Sequence, residues 1–241
     1  IEKKVALKVL LRAEESDQQR FLREARLASK INHPNTVYIS DFGVLPDGRT
    51  YLVMEYLSGR TLGSLLATQS ARLDPLRACR IAVQIARGLQ AVHDKGIVHR
   101  DLKPDNVFLL EQDGKQDFVK IVDFGIAKAA ERGLSVGDGE NARPLSAQAM
   151  AELQQQLAGP GAGNITMAGT VMGTPGYMAP EQIQGLAQDA RVDQYALGCL
   201  LYEMLSGQTV FDADGPMTLM LKHASDPVMP LRERLADVPG T

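Results

Sequence analysis

The stretch His99-Arg100-Asp101-Leu102-Lys103-Pro104-Asp105-Asn106, followed by Asp123-Phe124-Gly125, decides how the rest of this chain is interpreted. It places a carboxylate, an ammonium, an amide and a second carboxylate within one short region. Phosphoryl transfer from a metal-bound nucleotide needs this set. A base orients the attacking hydroxyl, a cation meets the transferred phosphate, and oxygen ligands hold the metal.

The bulk composition is that of an ordinary globular protein. The chain has 241 residues, of which 44% are hydrophobic and 23% are charged, enough for one domain with two lobes. The formal net charge of -3 gives no polybasic field. Neither nucleic acid nor an anionic membrane is therefore expected as the main partner.

The chain carries no sequence signal for export or membrane insertion. It opens without a signal peptide, and its longest apolar run, 195–205, is too short to cross a bilayer. We therefore expect a cytoplasmic location. Cys79 and Cys199 both lie in apolar helical stretches and are predicted to be buried, reduced thiols.

The first part of the chain predicts a small β-rich unit with one helix. Alternating, β-branched residues predict a strand over 4–10, and two more strands are predicted over 37–42 and 50–56. The spacing from Ser16 to Gln19 is that of a capping box and opens a helix to about Lys30. One face of that helix carries the apolar residues Phe21, Ala25, Ala28 and Ile31.

The second part of the chain is predicted to be mainly helical. Asp74 caps a helix that starts at Pro75 and ends near Gly96, with Ile81, Ile85, Leu89 and Val92 on one face. The segment 191–206 is apolar nearly all round, as expected of a central buried helix. A small sheet with one helix followed by a helical lobe gives an α+β fold.

The stretch from Ala129 to Gly169 is rich in Gly, Ala, Gln and Ser and is the one low-complexity segment. Within it, Met150, Leu153 and Leu157 fall at helical spacing and predict a surface helix; a regulatory role has no support in the sequence.

Further motifs complete the pattern. Val5-Ala6-Leu7-Lys8 lies on the first strand, Glu24 lies on the next helix, and Gly173-Thr174-Pro175-Gly176-Tyr177-Met178-Ala179-Pro180-Glu181 follows the catalytic motifs. With these motifs the chain resembles, over nearly its whole length, the eukaryotic-type protein Ser/Thr kinases, most closely their bacterial branch. The resemblance implies a two-lobed fold with an incomplete N-lobe (1–57) and a C-lobe lacking its last helices (58–241). The activation segment (123–181) then carries the Gly/Gln-rich insert near 130–169.

The resemblance implies a site for ATP between the lobes. Lys8 would meet the α- and β-phosphates and Glu24 would hold its ammonium in place. The adenine contacts implied are the backbones of Glu55 and Leu57, with Met54 behind the ring and Ala6 and Phe108 above and below it.

The resemblance also assigns the catalytic roles. Asp101 would orient the substrate hydroxyl, and Lys103 would place a cation near the transferred phosphate, as in Ser/Thr kinases. Asn106 and Asp123 would hold Mg²⁺, with Mn²⁺ as an alternative metal. Thr174 would hydrogen-bond towards Asp101 and Lys103.

Two further residues receive structural roles. His99 is expected to pack near Phe124. Asp193 is expected to accept backbone N–H groups of the catalytic loop.

Regulation is implied by Arg100, which precedes the catalytic aspartate and needs an anion beside it when the loop is active. Thr170 is the first candidate phosphosite and Thr166 the second. The implied partners are protein substrates with Ser or Thr acceptors and a second copy for trans-autophosphorylation. A membrane-anchored parent protein is a further expectation from bacterial relatives.

The chain also departs from the family pattern. It begins at Ile1, shortly before the lysine strand, so the glycine-rich loop is expected to be missing. An arginine partner for Glu181 is also expected to be missing. We therefore expect residues 1–241 alone to bind ATP weakly and to turn over slowly.

Two alternative functions stay open. A pseudokinase or scaffold without turnover is one, although its usual signs of decay are absent from Lys8, Asp101, Asn106 and Asp123. A small-molecule kinase with a similar catalytic loop is the other, and the segment from Thr174 to Glu181, which resembles a peptide-docking segment, speaks against it.

Overall fold

The computed structural model describes residues 4–12, 15–68, 72–112, 114–124 and 174–235. Helices alternate with two small antiparallel sheets. The strands are β1 (Val5–Arg12), β2 (Ile39–Val44), β3 (Arg49–Glu55), β4 (Gly59–Thr61), β5 (Val107–Gln112) and β6 (Lys115–Ile121). The helices are α1 (Glu15–Ala28), α2 (Leu62–Thr68), α3 (Pro75–His93), α4 (Pro180–Ile183), α5 (Arg191–Ser206), α6 (Pro216–Ser225) and α7 (Leu231–Arg234).

The first sheet has the strand order β1-β3-β2, and α1 packs against it. The predicted face of α1 is confirmed, since Phe21, Ala25, Ala28 and Ile31 are all buried. The predicted strands are confirmed with shifts of one or two residues at their ends. The buried face of α1 thus lies against the first sheet.

The remaining part is mainly helical and is built around α3 and α5. Asp74 Oδ1 accepts the backbone N–H of Arg77 at 3.1 Å, so the predicted cap of α3 is confirmed. The buried central helix is also confirmed with the predicted bounds, Arg191–Ser206. The second sheet, with the order β4-β5-β6, lies against α3 through β6.

A short stretch before β2 joins the two sheets. Val37 N donates to Ile121 O at 2.9 Å, and Ile121 N donates to Asn35 O at 2.9 Å. Thr36 and Ile121 form the corresponding parallel bridge. Because this stretch is fixed to the end of β6, the first sheet stands directly beside the residues that follow β6.

The prediction for Cys79 is wrong: Cys199 is buried, but Cys79 is exposed on α3, because the buried face of that helix runs through Ala78, Ile81 and Ala82.

The insert near 130–169 lies outside the described residues. Within the described ranges, no helix has both the length and the apolar character needed to cross a membrane.

Candidate active site

The candidate site is centred on an ion pair between residues that are far apart in the sequence. Lys8 Nζ lies 2.7 Å from Asp123 Oδ1, although 115 positions separate the two residues. Lys8 belongs to β1 of the first sheet, and Asp123 follows β6 of the second. The ion pair therefore bridges the two parts of the fold.

The catalytic loop lies next to this ion pair. Val122 N donates to Asn106 O at 3.0 Å, which places Asn106 beside the residue that precedes the ion-paired aspartate. Asn106 Nδ2 donates to Asp101 O at 2.8 Å and lies 3.4 Å from Asp101 Oδ2. Lys103 Nζ lies 3.7 Å from the same carboxylate oxygen. The structure thus brings the predicted catalytic residues and the ion pair into a single site.

Asp193 on α5 anchors the start of the catalytic loop. Its Oδ2 accepts the backbone N–H of His99 at 2.8 Å, and its Oδ1 accepts that of Arg100 at 2.8 Å, as the sequence predicted. His93 Nε2 lies 2.7 Å from Oδ2. Burial tends to raise the pKa of the Asp193 carboxyl, but the hydrogen bonds, that with His93 above all, outweigh it and hold that pKa below its ordinary value.

The backbone at two site residues adopts an uncommon conformation. Arg100 has a φ of 61° and Asp123 a φ of 59°, in the left-handed region that non-glycine residues seldom occupy. Arg100 is held there from both sides, because its N–H donates to Asp193 and its carbonyl accepts Gln182 Nε2 at 3.2 Å. Such over-determined backbone strain is concentrated at functional sites.

The predicted packing of His99 is confirmed. Its ring meets the ring of Phe124 edge-on, with centroids 5.6 Å apart, and its Nε2 lies 2.9 Å from Val122 O. Burial lowers the pKa of His99, so the ring is neutral near pH 7. His99 therefore holds the loop to the segment before Asp123 and carries no charge into the site.

Thr174, at the start of the segment predicted to dock peptides, also faces the catalytic loop. Thr174, Gln182, Arg100 and Asp101 are among the residues that line a small cavity of about 10 Å³, room for about one water molecule. Arg100 Nε is buried and makes no hydrogen bond within the described part of the chain. The predicted hydrogen bonds from Thr174 towards Asp101 and Lys103 stay a prediction.

The residues predicted to enclose the adenine come from both sheets. Ala6 on β1 lies opposite Met54 on β3, and both are half-buried. Phe108 lies half-buried on β5 of the second sheet. The two residues predicted to sandwich the adenine ring, Ala6 and Phe108, thus come one from each sheet.

Glu55, the last residue of β3, and Leu57 after it are the residues predicted to meet the adenine edge through their backbones. Glu55 N donates to Tyr38 O at 3.0 Å. The Leu57 N–H makes no hydrogen bond with any other described residue. It is therefore available as a donor to a ligand.

The predicted pairing of Lys8 with Glu24 is not what the structure shows. Glu24 lies half-buried on α1, but the ion pair of Lys8 is formed with Asp123, and none joins Lys8 to Glu24 among the described residues. In the structure it is the aspartate after β6 that holds the Lys8 ammonium. The candidate phosphosites Thr166 and Thr170 lie outside the residues described.

Sequence reasoning missed two residues that organise the site. His93 lies four positions after the buried Leu89 on α3 and is half-buried, and that spacing was the signal that it would face the interior. Gln182 accepts the Ala179 N–H through Oε1 at 3.0 Å. The spacing of these two residues is that of a capping box at the start of α4, which could have identified the glutamine.

The oxygen atoms of the site fit a divalent cation. Asn106 uses Nδ2 to donate to the loop, which leaves its amide oxygen as a ligand, and Asp123 adds a carboxylate. Within the described ranges, no three His, Cys, Asp or Glu side chains form a cluster that would hold a metal unaided. Magnesium commonly uses one or two carboxylates completed by substrate phosphates, and the donor set present matches that mode.

Comparison with known proteins identifies the family. A family model described as a protein kinase domain matches residues 1–235. The serine/threonine-protein kinase Pkn3 of Myxococcus xanthus is 37% identical over 238 residues, which cover 97% of this chain and 39% of that protein. PknB of Mycolicibacterium smegmatis is 36% identical over 241 residues, covering 97% of this chain and 33% of that protein.

A solved structure agrees with these relatives. The kinase domain of PknI from Mycobacterium tuberculosis superposes with a TM-score of 0.62 at 25% identity, covering 97% of this chain and 72% of that one. This chain therefore belongs to the protein kinase family, as a serine/threonine kinase domain of the type found in bacteria. Members of this family use ATP and a divalent metal. The chain spans less than half the length of the Pkn3 and PknB proteins.

Proposed function

We propose that the protein transfers the γ-phosphate of ATP to serine and threonine hydroxyls of protein substrates. The observation that carries this proposal is the single site that holds Lys8, Asp123, Asn106 and Asp101. The loop that carries Asp101 and Asn106 has little conformational freedom, because His99 and Arg100 at its start are hydrogen-bonded to Asp193 and Val122. Phosphoryl transfer depends mainly on such positioning and on electrostatic stabilisation.

Each residue has a role that its surroundings support. Lys8 would hold the α- and β-phosphates with its ammonium, which lies at the junction of the two sheets. Asp101 would accept a hydrogen bond from the substrate hydroxyl and orient it, and Lys103 would place a positive charge beside the same carboxylate. Orientation and proton acceptance of this kind contribute about 10²–10⁴ to a rate.

The metal is proposed to be Mg²⁺, with Mn²⁺ as an alternative. Bound there, it would neutralise charge on the phosphates of the nucleotide. Asp123 and Asn106 would hold it through oxygen atoms. Since Asp123 now contacts Lys8, its carboxylate would be shared between the ammonium and the metal in the loaded site.

The adenine is proposed to bind between Ala6 and Phe108, with its edge on the backbone of Glu55 and Leu57 and with Met54 behind it. The available N–H of Leu57 supports this placement. Glu24 is proposed to become a second partner of the Lys8 ammonium once the metal shares the Asp123 carboxylate, which would reconcile the expected pair with the observed one.

Regulation is proposed to act through Arg100. Its buried Nε makes no hydrogen bond to any described residue, and a guanidinium in that state favours an anion. A phosphate on Thr170, or on Thr166, formed by autophosphorylation between two copies, would supply one. Thr174 would then hydrogen-bond towards Asp101 and Lys103. We propose further that the kinase domain acts in the cytoplasm, within a parent protein that is membrane-anchored.

The test is transfer of labelled phosphate from γ-labelled ATP to a mixed protein acceptor by the full-length protein. We expect phosphoserine and phosphothreonine on acid hydrolysis, and loss of both in the Asp123→Asn variant. Label that appears on tyrosine alone would contradict the proposal. The absence of transfer with intact nucleotide binding would instead support the pseudokinase alternative.

A further inference from the structure

Lys120 on β6 joins two segments that border the predicted adenine site. Its Nζ lies 2.7 Å from Glu55 Oε1 and 3.2 Å from Thr36 O. The Lys120 side chain is 14% exposed and that of Glu55 is 26% exposed. Because solvent reaches this ion pair only in part, its attraction is screened less than that of a surface pair.

Glu55 is held by more than Lys120. The same Oε1 accepts the backbone N–H of Tyr38 at 2.8 Å, while Glu55 N donates to Tyr38 O at 3.0 Å. Tyr38 follows the stretch that Val37 fixes to Ile121. These contacts therefore form a closed network. The end of β6 is bonded to the stretch before β2, Tyr38 after that stretch is bonded to Glu55, and Glu55 is paired with Lys120 on β6.

Lys120 also lies beside the other side of the predicted adenine site. It is directly opposite Phe108 in the β5–β6 register, and opposed residues of an antiparallel pair project to the same face. Phe108 is the residue proposed to pack under the ring, and Glu55 opens the segment proposed to meet its edge. Lys120 thus connects the two surfaces between which the ring would lie.

The charges around Lys120 make Glu55 its matching partner. His33 has a pKa lowered by burial and by the positive charges of Arg87 and Lys120, so three basic groups lie near one another here. Within the described residues, Lys120 forms its ion pair with Glu55. A neutral residue at position 120 would therefore release Glu55 from the second sheet.

We propose that Lys120 is a positioning residue for nucleotide binding, which fixes the backbone of 55–57 relative to Phe108 through the Glu55 carboxylate. This assignment rests on the proposed function, because it presumes that the adenine binds at 55–57. Lys120 does not touch the reacting atoms, so its loss acts on nucleotide affinity and leaves the rate of the bound complex unchanged.

The experiment measures MgADP affinity by titration calorimetry, and KM for ATP and kcat with a protein acceptor, on the full-length protein. Lys120→Met should weaken MgADP binding and raise KM about threefold to tenfold, with kcat within about twofold, where tenfold corresponds to about 1.4 kcal/mol. Lys120→Arg should retain most of the wild-type affinity for MgADP, because arginine keeps the positive charge. Lys115→Met, at the exposed start of β6, is the matched control and should bind as the wild type does.

Two further variants separate positioning from a general structural effect. Glu55→Gln should reproduce the loss, and the double variant Lys120→Met/Glu55→Gln should be no weaker than either single variant, because one contact is removed in each case. In Lys120→Met, hydrogen exchange should accelerate in peptides that contain Tyr38, whose N–H bonds to Glu55.

Several results would overturn the assignment. Unchanged affinity in Lys120→Met, or equal losses in kcat and affinity with a lowered Tm, would refute the positioning role while leaving the kinase proposal intact. Additive losses in the double variant would do the same. A wild-type protein that binds no nucleotide would overturn both proposals together.

Discussion

Lys8 and Asp123, 115 positions apart in the sequence, form an ion pair of 2.7 Å that joins the first sheet to the end of the second. The two side chains are about one third exposed, at 33% and 36%. An ion pair this open contributes little to stability. Its placement is better explained by function, since it leaves one ammonium and one carboxylate beside the catalytic loop.

Removal of either member of this pair should therefore abolish activity without unfolding the protein. We expect Lys8→Met and Asp123→Asn each to lower kcat/KM for ATP by at least about 10²-fold, the scale seen when one charge-stabilising group is lost. The Tm of each variant should stay within a few degrees of the wild type. Lys4→Met, just before β1, is the control, and loss of activity in that variant would contradict the specific role of Lys8.

Asp193 should be the most sensitive position for the catalytic loop. Asp193→Ala removes three hydrogen bonds and leaves the buried N–H of His99 and the partly buried groups of Arg100 N and His93 Nε2 without this partner. We expect the free energy of unfolding to fall by about 2–4 kcal/mol in urea titrations. His93→Phe removes one of the three and should cost less, about 1 kcal/mol. A larger loss in His93→Phe than in Asp193→Ala would contradict this account of the loop.

Gln182 should couple protein-substrate docking to the loop. Its amide accepts from Ala179 N and donates to Arg100 O, so it holds the docking segment against the strained residue before the catalytic aspartate. Gln182→Glu keeps the acceptor and loses the donor. We expect KM for a protein acceptor to rise about threefold to tenfold, which is up to about 1.4 kcal/mol, with KM for ATP unchanged. A change confined to KM for ATP would contradict the coupling.

Acidification should destabilise the fold through its buried histidines. Burial lowers the pKa of His223 and of His99, so both stay neutral in the folded chain at a pH where the unfolded chain takes up protons. The stability that they contribute is present above about pH 6.5 and is lost as the pH falls below it. His223 also lies 2.7 Å from the Tyr195 hydroxyl through Nδ1 and packs edge-on to Phe211.

The measurement is the free energy of unfolding of wild type and His223→Gln between pH 7.5 and 5. We expect it to fall with pH in the wild type and to fall less steeply in the variant, where one titrating group is gone. Parallel curves would show that His223 does not take part.

Local patterns predicted most of the fold because they depend on neighbours along the chain. The apolar face of α1 and the bounds of α5 follow from periodicity, and Asp74 caps α3 by a contact only three residues long. Cys79 was misplaced because it was judged by its apolar neighbours, whereas its position two residues from Ile81 puts it on the side of α3 away from the buried face.

The sequence predicted which residues form the site, but it did not predict all of the contacts between them. Motifs identified Lys8, Asp101, Asn106 and Asp123, and the fold brings them together. Which carboxylate holds Lys8 depends on the distance between parts of the chain, and no local pattern encodes that distance. For the same reason, the ion pair between Lys120 and Glu55, which are 65 positions apart, could not be predicted from the sequence.

The account depends most on Asp101 as the residue that orients the acceptor hydroxyl, so the decisive measurement separates binding from chemistry at that position. MgATP affinity and the single-turnover rate of phosphate transfer are measured on the same preparations of wild type and Asp101→Asn. We predict an affinity within about threefold of the wild type and a rate lower by about 10²–10⁴. An unchanged rate in Asp101→Asn would contradict the account.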